Sequence, residues 1–275
     1  MNLLEESINI VEQVNYLAPP RYISGRIVEY DIKSANISTL RQTGTISEEY
    51  YQYLSRLPKN KREIQIGLDI KSNPDLYTTI KQTIRESKIE FVKANNIDPF
   101  NIVRVANDAV YINAPLDLQY TKFGEYIEFK QKSISNIYLK LDNVIIFSKF
   151  LPDGNADVDI KGIGDNMILH QNTMVSIIVT AISLCEHAGT QQALRYVSQV
   201  IEDYLHFNLP VGFYREFDSN SCYRLLYSMK TNTLDIPFGL SDVSENDKYN
   251  LDISYNLYIL RELWSILLEL YNTGR

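Results

Sequence analysis

Two short β-branched runs, Ile102-Val103-Arg104-Val105 and Ala109-Val110-Tyr111-Ile112, flank the segment Ala106-Asn107-Asp108. No other segment constrains the fold as tightly. Runs of this kind favour extended structure, and Asn-Asp favours a tight turn between them. The segment therefore reads as a β-hairpin with Asn107-Asp108 at its tip, which commits the chain to antiparallel sheet. A second carboxylate has a similar setting. Tyr22 to Ile32 alternates as a strand, and Asp31 stands near its end. Each aspartate would be delivered to an exposed rim.

The rest of the chain can be placed around these strands. With 275 residues it can bury a core in one or two domains. Residues 4–16 read as a short amphipathic helix stopped by Pro19-Pro20. Ser47 reads as the N-cap of a helix to about Arg56, ended by Pro58. Asn73-Pro74 opens a longer helix to about Ala94, with Leu76, Ile80, Ile84, Ile89 and Phe91 near helical spacing. Further strands are expected at 126–130, 137–141, 144–150 and 156–161, and helices at about 168–187, 190–206 and 254–272. The expected class is α+β: an antiparallel sheet with packed helices over residues 1–153, then a mainly helical region over 154–275.

Charge and composition narrow the function. A net charge of −7 argues against a protein that coats nucleic acid nonspecifically, but leaves room for a local basic groove. Lys59, Lys61 and Arg62 form one compact basic cluster, and Lys122, Lys130, Lys132 and Lys140 a looser series. Cys185 and Cys222 make no disulfide framework and no metal spacing, so reduced thiols of a cytosolic protein are expected. The opening residues lack the basic region of a signal peptide, and the longest apolar stretch, 175–185, is too short for a bilayer. No membrane partner is expected.

Several segments resemble a known family in the right order. Asp31-Ile32-Lys33-Ser34-Ala35-Asn36-Ile37-Ser38 resembles motif A of family B DNA polymerases, Asp-x-x-Ser-Leu-Tyr-Pro-Ser, with Asp31 and Ser34 matching. Asn107-Asp108-Ala109-Val110-Tyr111-Ile112 resembles the tail of motif C, Asp-Thr-Asp-Ser-Val-Phe, with Asp108 on its second aspartate and Ala106 on its first. Arg62-Glu63-Ile64-Gln65-Ile66-Gly67 resembles a truncated motif B. Tyr138-Leu139-Lys140 and Asp159-Ile160-Lys161-Gly162-Ile163-Gly164 resemble the lysine stretch that follows motif C in the protein-primed, viral-type branch. The resemblance covers roughly residues 22–166. It implies a reduced palm with a shortened fingers segment (44–98), a thumb-like helical region, and no exonuclease domain.

What the resemblance implies is metal-dependent nucleotidyl transfer to a nucleic-acid end, in the host cytoplasm if the source is viral. Asp31 and Asp108 would hold Mg²⁺ or Mn²⁺. Ser34 and Asn36 would line the nucleotide site, and Lys61 or Arg62 would face the triphosphate. Lys140 and Lys161 would meet the template–primer. Asn36 falls where the family carries a tyrosine that excludes ribonucleotides, which implies weaker sugar discrimination. Read singly, the same residues have plainer roles: Asp31 a strand-end aspartate, Asp108 a turn residue, and Lys61 and Arg62 a solvated basic turn. Ala106, the thin motif B and the acidic charge fit an alternative: a catalytically inactive, polymerase-derived protein of viral origin that binds or regulates a protein partner. A plain structural α+β protein is a third reading.

Overall fold

The computed structural model describes residues 2–115, 117–141, 144–150, 156–161, 171–209, 215–217, 223–225 and 257–274. The chain divides into two compact units, Met1–Tyr138 and Leu139–Arg275. The first unit holds helices α1 (Leu3–Val11), α2 (Ala35–Gln42), α3 (Glu48–Arg56), α4 (Lys59–Ser72) and α5 (Asp75–Ala94). Its strands are β1 (Tyr16–Leu17), β2 (Tyr22–Ile32), β3 (Ile102–Ala106), β4 (Ala109–Asn113), β5 (Lys122–Phe123) and most of β6 (Ile127–Leu141). The sheet runs β1-β3-β4-β2-β6, with β5 pairing on β6.

The register of this sheet places the carboxylates. The hairpin closes with Ala106 opposite Ala109, so Asn107-Asp108 is the whole turn. Strand β4 then pairs antiparallel with β2, setting Asp31 opposite Ala109 and Glu29 opposite Tyr111. The Ile32 amide donates to the Asp108 carbonyl at 3.1 Å, which fastens the tip of the hairpin to the end of β2. Alternation sends Val28, Tyr30 and Ile32 to one face of β2, and Glu29 and Asp31 to the other. The first face is buried with Val105, Val110, Ile112 and Phe129 against Phe91 and Val92 of α5. Phe91 stacks on Phe129 with ring centroids 4.3 Å apart.

A second apolar cluster, Ile37, Leu40, Leu54, Ile66 and Ile80, joins α2, α3, α4 and α5. Two local features start these helices. The Ser47 hydroxyl accepts from the Tyr50 amide and caps α3, as expected. Ser34, at the mouth of α2, has φ +51° and ψ +46°, the left-handed region that a side chain disfavours.

In the second unit, β7 (Val144–Phe150) pairs antiparallel with β8 (Ala156–Lys161). Helices α6 (Gln171–Ala188), α7 (Thr190–Leu205) and α8 (Leu257–Asn272) follow, with a short hairpin of β9 (Arg215–Phe217) and β10 (Tyr223–Leu225) before α8. Gly189, at φ +91°, precedes α7 in a conformation suited to glycine. Helix α7 packs on both α6 and α8, and the Trp264 indole donates to the Ser198 hydroxyl at 3.0 Å.

The class is therefore α+β, with antiparallel sheet and helices in the C-terminal part, as the sequence implies. Three local expectations are corrected. Residues 59–72 form a helix, so the solvated-turn reading of Lys61 and Arg62 does not hold. Residues 35–42 are helical too, where no helix is expected from the sequence. The strands expected at 126–130 and 137–141 are one strand, because backbone pairing carries β6 through its polar middle. The Gly162-Ile163-Gly164 segment and Cys222 lie outside the described residues.

Candidate functional site

Asp31 and Asp108 meet at one end of the sheet. Asp31 is held by strand pairing and Asp108 by the turn, two elements joined by the Ile32 to Asp108 bond. Burial pushes the Asp31 carboxyl up, and the neighbouring charge of Asp108 adds to this, bringing it to about 6 despite the opposing pull of Lys132. The Oδ1 atom of Asp31 is buried and has no hydrogen-bond partner.

The other oxygen is supported. Lys132 Nζ on β6 lies 3.4 Å from Asp31 Oδ2 and donates to Glu29 Oε1 at 2.9 Å. Glu29 shares the face of Asp31 two residues earlier and is only 3 % exposed. The Ser133 hydroxyl donates to its second oxygen at 2.9 Å. Burial alone would raise the Glu29 carboxyl, but the hydrogen bonds from Lys132, Ser133 and Tyr111 outweigh it and hold the group below its ordinary value. Further along, the Arg104 guanidinium sits 5.3 Å from the Tyr111 ring centre. A polar strip thus crosses four strands, from Arg104 through Tyr111 and Glu29 to Lys132.

On its other side Asp108 borders an open cleft of about 910 Å³, lined among others by Asn36, Lys81, Arg85, Lys88 and Asn107. Asp31 is not a wall of this cleft. Lys88, on α5, is 3 % exposed. Burial pulls its ammonium down to about 8, with Asp108 opposing the shift. Asn36, at the start of α2, donates to Glu63 Oε2 at 2.8 Å and so ties the cleft to α4.

Arg62, Lys61 and Ser34, also expected at the site, do not line this cleft. Arg62 Nε is 3.9 Å from Glu63 Oε1, and Lys61 is exposed on α4. Ser34 lines a different hollow, of about 170 Å³, with Tyr51 and Tyr126. Lys140 and Lys161 belong to the second unit, where Lys161 Nζ pairs with Asp159 Oδ2 at 2.7 Å.

Sequence reasoning missed Glu29 and Lys88, and placed Lys132 only in a loose basic series. The signals existed. Glu29 precedes Asp31 by one strand period. Lys88 falls in the apolar stripe of α5, between Ile84 and Phe91, where a lysine is out of place unless it has a task.

Together these features define an α+β protein with an acidic pair at the tip of an antiparallel sheet, beside a cleft with a buried lysine. The chain belongs to the bacteriophage PBS1 gene 130 protein family, whose model matches residues 6–269. No curated protein matches it. The family carries the phage origin of the chain and does not speak to a polymerase relationship. Among the described residues no helix is long and apolar enough to cross a membrane, and no group of three or more His, Cys, Asp or Glu could hold a metal ion.

Proposed function

We propose that this phage protein is a metal-dependent nucleotidyltransferase with a polymerase-like sheet, working on a nucleic-acid end in the host cytoplasm. One observation supports the reading most: strand pairing sets Asp31 beside the turn that carries Asp108, close enough for the charge of Asp108 to act on it, and the buried Oδ1 of Asp31 has no partner. Two carboxylates in this state favour a divalent cation, which replaces their repulsion with attraction. The donors are hard oxygens, which suit Mg²⁺ or Mn²⁺ when waters and substrate phosphates complete the shell. When bound, the metal supplies charge neutralisation for an in-line phosphoryl displacement. The protein's own part is positioning. The hairpin tip and the end of β2 fix the two carboxylates, Glu29 and Lys132 hold the strand face beside them, and Asn36 stands at the edge of the cleft. Lys140 and Lys161 remain the proposed contacts to template–primer phosphates.

Manganese binding followed by electron paramagnetic resonance tests this directly. Wild-type protein should bind Mn²⁺, and Asp31→Asn and Asp108→Asn should each weaken binding at least tenfold. Primer extension with Mg²⁺ should fail in the same variants, and should accept ribonucleotides if Asn36 relaxes sugar discrimination. Mn²⁺ binding that survives both substitutions would overturn the reading.

A second reading is favoured by a different observation. Lys132 already places an ammonium 3.4 Å from Asp31 and 2.9 Å from Glu29, and Ala106 stands where the resembled motif has a carboxylate. In this reading the protein's own cation takes the neutralising role, and the chain is a catalytically inactive binding or regulatory protein. Absence of Mn²⁺ binding together with retained nucleic-acid or protein binding would select it.

A further inference from the structure

We infer that the cleft beside α5 is a polyphosphate-binding site in which Lys88, backed by Lys81 and Arg85, receives the anion. The argument starts from the position of Lys88. It occupies the apolar stripe of α5, is 3 % exposed, and lines the cleft. Among the described residues it makes no hydrogen bond and no ion pair, and Asp108 is the charge that acts on it. Keeping an ammonium on a side chain this deeply set in an apolar stripe is costly, and an apolar residue would fill the stripe better. Its presence is explained by an acceptor that arrives from outside.

The rest of the wall indicates what that acceptor is. Lys81 and Arg85 precede Lys88 by seven and three residues, so all three lie along one side of the helix. At 1.5 Å per residue, Lys81 and Lys88 are separated by roughly 10 Å along the axis. That spacing suits a chain of phosphates better than a single one. Arg85 is held by Glu12 at 2.9 Å, and Lys81 lies 4.3 Å over the Tyr77 ring, so both are already oriented. Glu12, Glu86 and Asp108 share the cleft and limit the field to the basic strip. Asn36 also lines the cleft, with its side-chain amide donating to Glu63. Lys61 and Arg62 lie outside this wall, so the anion site is displaced from α4 to α5.

The inference names the polyphosphate subsite of the proposed reaction and rests on that reading for its role. Its binding chemistry needs no metal, so the two fail separately. Calorimetry on the full chain, with EDTA in excess, would titrate dATP and, in a second arm, inorganic tripolyphosphate. Both should bind wild-type protein; tighter dATP would mark a nucleotide site, equal affinity a general polyphosphate site. Lys88→Met should weaken binding at least tenfold and Lys81→Met about threefold, while the Lys61→Met/Arg62→Met double variant should stay within twofold. Thermal unfolding of Lys88→Met should occur at or above the wild-type temperature, which separates lost binding from lost folding. No binding by wild type, Lys88→Met and Lys81→Met both within twofold of wild type, or a tenfold loss in the Lys61/Arg62 variant would overturn the assignment. Polyphosphate binding in EDTA without any Mn²⁺ binding would leave it standing and remove the metal reading.

Discussion

Charge at the sheet end is settled by a few side chains that can be changed one at a time. Glu29 is a buried carboxylate whose partner Lys132 is half in solvent, and removing a partner from a buried charge is far worse than never having had the pair. Lys132→Met should therefore destabilise the protein by about 2–3 kcal/mol, and adding Glu29→Gln should restore part of the loss, as measured by urea unfolding. Asp31 gives the opposite sign. Its folded-state carboxyl is raised to about 6, so between about pH 4 and 6 the folded protein holds a proton that the unfolded chain has released. Stability is lost as pH rises through that window and stays lost above it. In EDTA at pH 7.5, Asp31→Asn should be more stable than wild type by about 1–2 kcal/mol, allowing for partial exposure, and the difference should vanish near pH 4. Thermal unfolding of the two proteins across pH checks both the size and the window.

Helix α4 shows how an element can form with little apolar signal. It buries Ile66 alone, leaves Ile64 and Leu68 exposed, and so has no stripe for a periodicity argument to find. Gly67 sits in this helix with open space where a side chain would be. Gly67→Ala should stabilise the protein by about 0.8 kcal/mol, visible as a higher urea midpoint with an unchanged slope. Helix α2 escaped notice for a related reason: it is short, and only Ile37 and Leu40 are large apolar residues in it. Its lead residue Ser34 carries left-handed strain, so Ser34→Gly should stabilise by up to about 1 kcal/mol and Ser34→Val should destabilise by more. By contrast, β2, α3, α5 and the β3–β4 hairpin were legible, because each couples a strong start or turn signal to an apolar face that meets the core. The polar middle of β6, around Lys130-Gln131-Lys132, hid a continuous strand because all three residues are exposed, Lys132 reaching the charged face of Glu29 and Asp31, so no apolar alternation marks it.

At the scale of the whole molecule, a net charge of −7 sets how any nucleic acid must be met. If Lys140 and Lys161 are the contacts, two neutralised phosphates give a salt slope of about −1.4 for single strands. Fluorescence anisotropy with a labelled oligonucleotide at several salt concentrations should return a slope near this; one steeper than about −4 would mean a basic face not accounted for by these residues. The pairing of Asp31 with Asp108 was readable as a possibility, since both end short extended runs, but their meeting depends on the register of β2 against β4, which pattern alone does not fix. The viral origin was expected from the resemblance and agrees with the phage family, but the particular family was not legible, because its match runs over residues 6–269 rather than over the short motifs that carried the resemblance. The hairpin tip has a consequence for how this family can drift. Asp108 is placed by a turn of only two residues between Ala106 and Ala109. The flanking strands can exchange one β-branched residue for another with little effect. A single codon gained or lost between those alanines, however, would shift the aspartate away from Asp31. In this family the length of that turn should be the most strongly inherited character of the site, more so than the identity of the residues around it.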